Sequence, residues 1–151
     1  MRILDADEAR DCVDGLVHFD TQRAPDGLDL TVEDVFEVTG PGSLDFGGSE
    51  FDPAPRERIE PELASPDDDY GWWELDPGSY VVHYNEGVDL GAGQVGELHP
   101  LPRLQQAGAS HGTLVLHGTR ETVAALLNVG EGGCHLKENC RVSRLVIAEP
   151  S

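Results

Sequence analysis

Lysine is almost missing from this chain: its ten basic residues include one lysine, Lys137, and they face 29 aspartates and glutamates, for a formal net charge of −19. A surface of that sign repels nucleic-acid phosphates and anionic lipids, so neither is expected as a partner. An acidic, lysine-poor surface on a chain that keeps its strand patterning is expected of a protein adapted to a high-salt cytosol, where dense counterions screen self-repulsion. The competing reading is an ordinary acidic protein. Cysteine is scarce and odd in number, Cys12, Cys134 and Cys140, which argues against a disulfide framework and for free thiols. No apolar run approaches the roughly 20 residues of a membrane helix, and Met1 to Glu8 lacks the basic and apolar run of a secretory signal. A cytoplasmic protein is therefore expected. At 151 residues the chain suits a single domain, 1–151, whose core needs no staples. It has no Gly-x-Ser-x-Gly elbow, no basic patch with interleaved aromatics and no internal repeat. Gly130-Glu-Gly-Gly133 lacks the Gly-Lys-Ser/Thr ending of a phosphate loop and reads as a hairpin turn.

What is there is mostly strand signal. Asp5, with Glu8 three residues on, marks a short opening helix. Leu28, Leu30 and Val32 alternate with polar residues, and the pattern slips at Asp34 and resumes at Phe36, which predicts a half-buried strand with a bulge. From about 40 to 77 the composition turns to Gly, Pro, Ser and acid, and an insertion with little regular structure is expected. Trp72 and Trp73 at its end suit either a packed anchor or a base-stacking platform, the anchor being the expected role. Short runs at 80–84, 88–90, 95–98, 113–116, 123–129 and 142–148, punctuated by Gly and Pro, predict an all-β sandwich, jelly roll or barrel.

Four segments in order carry a family resemblance. They are Arg23-Ala-Pro-Asp-Gly-Leu-Asp29-Leu30, Leu75-Asp-Pro-Gly-Ser-Tyr80 followed by Gln94-Val-Gly-Glu-Leu-His-Pro100, the stretch from Leu101 to Leu127, and Asn139-Cys-Arg141-Val-Ser-Arg144-Leu-Val-Ile147. Together they resemble the dUTPase and dCTP-deaminase superfamily, in particular its archaeal branch. The resemblance implies a distorted jelly roll of the dUTPase-like β-clip kind. It also implies a homotrimer with active sites at subunit boundaries that bind deoxynucleoside triphosphates through Mg²⁺.

The chemical residues match less well than the strands. Where the family has Pro-Arg-Ser-Ser-Leu for the triphosphate, this chain has Pro100-Leu-Pro-Arg103-Leu104, which loses both serines and displaces the arginine by two. Leu116 stands at the family's water-activating Asp, followed by His117 and Gly118. His117 is the candidate substitute base, since imidazole titrates near neutrality. Its alternative is a hydrogen-bonded structural histidine. Asp29 matches the family's first-motif acid near metal and triphosphate, with a strand-end polar role as the alternative. Asp29 and His117 are thus the candidate catalytic residues, and Arg103, Gly118 and Arg141 the candidate substrate contacts. Leu126-Leu-Asn128 lacks the Glu that deamination needs, and the chain ends at Pro150-Ser151 without the Gly-rich tail that closes over substrate in trimeric dUTPases. Two functions follow as expectations: a dUTP-binding protein impaired in hydrolysis to dUMP and pyrophosphate, or a catalytically inactive trimeric scaffold or regulatory protein that keeps only the fold. His111, His117, Cys134, His135 and Cys140 include donors that suit zinc, but their spacing matches no standard arrangement, and no metal site is assigned to them.

Overall fold

The computed structural model describes residues 1–151. The chain opens with β1 (Arg2–Ile3), α1 (Ala6–Ala9), β2 (Val13–Asp14), α2 (Phe19–Gln22) and β3 (Arg23–Ala24), then runs into β4 (Gly27–Val38), the longest strand. The middle third holds β5 (Arg56–Ile59), β6 (Trp72–Leu75), β7 (Gly78–Tyr84), β8 (Gly87–Asp89) and β9 (Val95–Pro100). The remainder holds α3 (Pro102–Gln106), β10 (Ala109–Ser110), β11 (Leu114–Leu116), β12 (Thr119–Arg120), β13 (Ala124–Val129), β14 (Cys134–Lys137) and β15 (Arg141–Glu149). All strand pairs are antiparallel. The main sheet runs β10-β13-β7-β4-β15-β9-β11, with β1 on β15 and with β3 and β5 on β4. A β12-β8-β2 sheet and a β6-β14 ribbon complete the curled, distorted jelly roll. One core of 28 buried apolar residues fills it. No helix is long and apolar enough to cross a membrane.

The opening helix forms as its sequence dictates: Asp5 accepts from the Glu8 amide and the Glu8 side chain accepts from the Asp5 amide, a reciprocal cap. The register of β4 against β7 slips between Val32 and Asp34, where the alternation of apolar residues breaks. The first half of β4 is buried on both faces rather than one, because Asp29 and Thr31 are covered as fully as Leu28 and Leu30. Gly27 permits this crowding. A Cβ there would lie 2.0 Å from the Leu145 carbonyl oxygen of β15, so no larger residue fits without parting the strands.

Two expectations need correction. The 40–77 segment, expected to hold little regular structure, contributes two strands: β5 extends the sheet beside Val35–Val38, and β6 pairs with β14, register Trp72↔Lys137 and Trp73↔Leu136. These strands form because distant partners supply their hydrogen bonds, and the charged Arg56-Glu-Arg sequence suits a sheet edge. Gly130–Gly133 is a turn but not a hairpin, since β13 pairs with β7 and β14 with β6. The short helix α3 has no counterpart among the predicted elements; Pro102 opens it, since proline at the first helical turn is pre-set for helix and its missing N–H costs nothing there.

Candidate functional site

The β6-β14 ribbon, α2, α3 and the start of β15 surround a cavity of about 420 Å³. No acidic residue lines it, although 29 of the 151 residues are acidic. Arg103 of α3, Lys137 of β14 and Arg141 of β15 line it, joined by His18 and His135. Three of the ten basic side chains of the chain thus converge on one cavity whose wall holds no carboxylate. Trp72 forms part of the wall, about a third exposed, with the Lys137 ammonium 5.5 Å from its ring centroid. Trp73, its neighbour, points the other way into the core and donates its indole N–H to the Ile59 carbonyl. One tryptophan is thus the expected anchor and the other faces the cavity.

Behind this wall lies a buried polar frame. The Gln22 side chain uses all its capacity: its oxygen accepts from the Val17 and His18 amides, and its nitrogen donates to the Asp29 carbonyl and to Glu86. Glu86 is fully buried and also accepts from the Thr31 amide at 2.8 Å and the Thr31 hydroxyl at 2.6 Å. Burial pushes the Glu86 carboxyl above the usual carboxylate range, against the pull of these donors. Gln22 and Thr31 both reach the cavity wall, so Glu86 sets the position of two lining side chains without touching the cavity. No signal in the sequence marks Glu86, because only the fold carries it into contact with residues 55 and 64 positions away.

Asp29 is almost fully buried and ion-paired. Its Oδ1 accepts from Arg144 Nε at 2.5 Å and its Oδ2 from Arg141 at 3.3 Å, while Arg144 also reaches Asp26 at 3.1 Å. Arg141 donates in addition to the Thr21 carbonyl at 3.2 Å. Asp29 therefore holds Arg141 against the cavity wall. A magnesium ion placed on Asp29 would meet two guanidinium groups, and no three His, Cys, Asp or Glu side chains converge anywhere to hold a metal. Asp29 does not fit the Mg²⁺ role that the resemblance implies.

Of the other sequence candidates, Arg103 and Arg141 meet at the cavity, while His117 and Gly118 do not reach it. Both sit exposed in the turn between β11 and β12, where Gly118 has φ +66 and its carbonyl accepts from the Leu90 amide. The five His and Cys residues with zinc-type donors do not assemble. His111 instead ends a buried chain. If its Nδ1–H donates to the Gly112 carbonyl, Nε2 accepts from the Ser143 hydroxyl, whose oxygen accepts from Tyr84. Burial holds His111 below its ordinary pKa, and Ser143 has no exposed surface. This serine and histidine make a structural network rather than a nucleophile and base. Burial likewise pushes the Cys140 thiol up to about 11, which leaves it a poor nucleophile.

No protein-family model matches the chain. Among curated proteins, it is 29% identical over 157 residues to one named probable deoxyuridine 5'-triphosphate nucleotidohydrolase from Methanosarcina acetivorans, covering 97% of this chain and 87% of that protein. A protein of the same name from Aeropyrum pernix is 32% identical over 127 residues, covering 82% of this chain and 74% of the relative. The chain belongs to the dUTPase and dCTP-deaminase superfamily. The fold agrees: a 2'-deoxycytidine 5'-triphosphate deaminase from Agrobacterium tumefaciens superposes with a TM-score of 0.65 at 15% identity, over 96% of this chain. The match spans 46% of that longer chain. Asp29, Arg141 and Arg144 form one ion-paired cluster. Lys137 and the cavity-facing Trp72 belong to the β6-β14 ribbon, and only the pairing of these two strands reveals them.

Proposed function

We propose that the protein binds a deoxynucleoside triphosphate in the acid-free cavity, with Arg103 and Arg141 on the phosphates, and that it is impaired in hydrolysing dUTP to dUMP and pyrophosphate. The convergence of three cationic side chains, without one carboxylate, in a chain of net charge −19 carries this reading. Guanidinium groups suit phosphate oxygens because their planar donors engage two at once. The names of the relatives support dUTP as the first nucleotide to test.

Impairment is supported by the state of the chemical groups. Leu116 is buried where a carboxylate is needed, Asp29 is engaged by two arginines, and the His117–Gly118 turn lies outside the cavity. In the cytoplasmic homotrimer that family membership suggests, that turn would act only by reaching a site on a second copy. No step of this reading passes through Mg²⁺.

Titration calorimetry with dUTP and dCTP, run beside a pyrophosphate-release assay, tests both halves. Binding that Arg141→Ala weakens, with turnover at the level of the buffer control, is expected. Turnover abolished by Asp29→Ala would overturn the impairment. Absence of any nucleotide binding would leave the second reading, an inactive trimeric scaffold or regulatory protein, which the engaged Asp29 and the buried Leu116 also favour.

A further inference from the structure

Trp72 lines the cavity, and phosphate binding leaves it without a role. It is carried there by the insertion through a specific construction. β6 alternates, with Trp73 and Leu75 buried in the core and Trp72 and Glu74 turned outward. Trp73 is pinned by its indole bond to Ile59 at 2.9 Å, and the amide and carbonyl of Trp72 pair with Glu62 at 2.8 and 2.9 Å. The backbone under Trp72 is therefore fixed, and its ring stands on the cavity wall beside Lys137, its cross-strand partner. A flat indole on a fixed stretch of backbone, with an ammonium group 5.5 Å from its ring centroid and two guanidinium groups lining the same cavity, suits a ligand with a planar ring at one end and negative charge at the other.

We infer that Trp72 is a base-stacking wall, so that this site selects a nucleotide over a bare polyphosphate chain. The inference rests on the cavity being the anion site proposed above. Arg103 and Arg141 hold the charged end, which inorganic polyphosphate shares, and Trp72 recognises the ring, which it lacks. Stacking of a base on an aromatic side chain is worth roughly a ten- to hundredfold gain in affinity.

The test compares dUTP with inorganic tripolyphosphate on the full-length protein and on Trp72→Ala, Trp72→Phe and Arg141→Ala. Expected for the wild type is dUTP binding at least tenfold tighter than tripolyphosphate, with the advantage lost in Trp72→Ala, largely kept in Trp72→Phe, and tripolyphosphate affinity unchanged by either. Arg141→Ala weakens both probes. Wild-type emission supplies a second readout that needs no variant to fold: dUTP quenches Trp72 and tripolyphosphate does not, since Trp73, the only other tryptophan, is buried. Equal affinity for both probes with no quenching by dUTP would overturn the stacking role while leaving the anion site standing. Failure of both probes to bind would remove the anion site and the stacking role together.

Discussion

Replacing Asp29 by Asn separates a structural carboxylate from a metal-binding one. In the structure both Asp29 oxygens accept from guanidinium groups, Oδ1 from Arg144 and Oδ2 from Arg141. Asparagine keeps the shape but offers one acceptor, and it turns an N–H₂ toward the other arginine. One charge-assisted hydrogen bond is lost, worth about 1.5–3 kcal/mol for a bond to a charged group. The Asp29 side chain is 6% exposed but the two arginines are 28% and 30% exposed, so water re-solvates them in part and the lower half of that range applies, roughly 2 kcal/mol. For a domain of this size that lowers the melting temperature by about 4–8 °C. Thermal unfolding at one fixed salt concentration measures it. Because Asp29 also aims Arg141, nucleotide affinity should fall in the same variant, equally in Mg²⁺ and in EDTA. An Asp29→Asn protein of unchanged stability that lost affinity only in the presence of Mg²⁺ would refute the reasoning and put Asp29 at the metal.

Other consequences are independent of the nucleotide. Ser143→Ala leaves the buried Tyr84 hydroxyl and His111 Nε2 without partners and should cost roughly 2–4 kcal/mol in denaturant unfolding. His111 is held below its ordinary pKa by burial. The stability tied to its neutral form is complete above about pH 6.5 and is lost as the pH falls through the lower folded value, a slope that His111→Asn should remove. Glu86 is shifted the opposite way by burial. Its contribution is complete below about pH 4.3 and declines as the pH rises through the folded value, so the stability gap between wild type and Glu86→Gln should shrink over that rise. If the −19 charge is a high-salt adaptation, the unfolding midpoint should climb from low to multimolar KCl, and a flat profile would discard that idea.

Local signals in the sequence were reliable where the energetics are local. The cap at Asp5 and Glu8 is made by neighbours, and the bulge before Asp34 falls where the apolar alternation of β4 breaks; both appear where the chain predicts them. The strands from Tyr80 onward match because their apolar residues meet a common core. The strands within 40–77 are not legible in the sequence because β5 and β6 owe their order to partners contributed by β4 and β14, not to their own composition. The site was half legible. Arg141 stands in a motif position and Arg103 two residues away from one, but the engagement of Asp29 by Arg144 spans 115 residues, and the acid-free character of the cavity emerges only when distant elements are brought together. The pairing of Asp29 with arginines was legible only in part: Arg144 is visible in the fourth motif, yet nothing short of the β4–β15 register places it opposite Asp29.

The most direct test of the cavity as the nucleotide site is a crystal structure of the protein with a non-hydrolysable dUTP analogue. The account places the triphosphate against Arg103 and Arg141 and the base beside Trp72. Phosphates bound elsewhere, with the cavity holding only solvent, would contradict it.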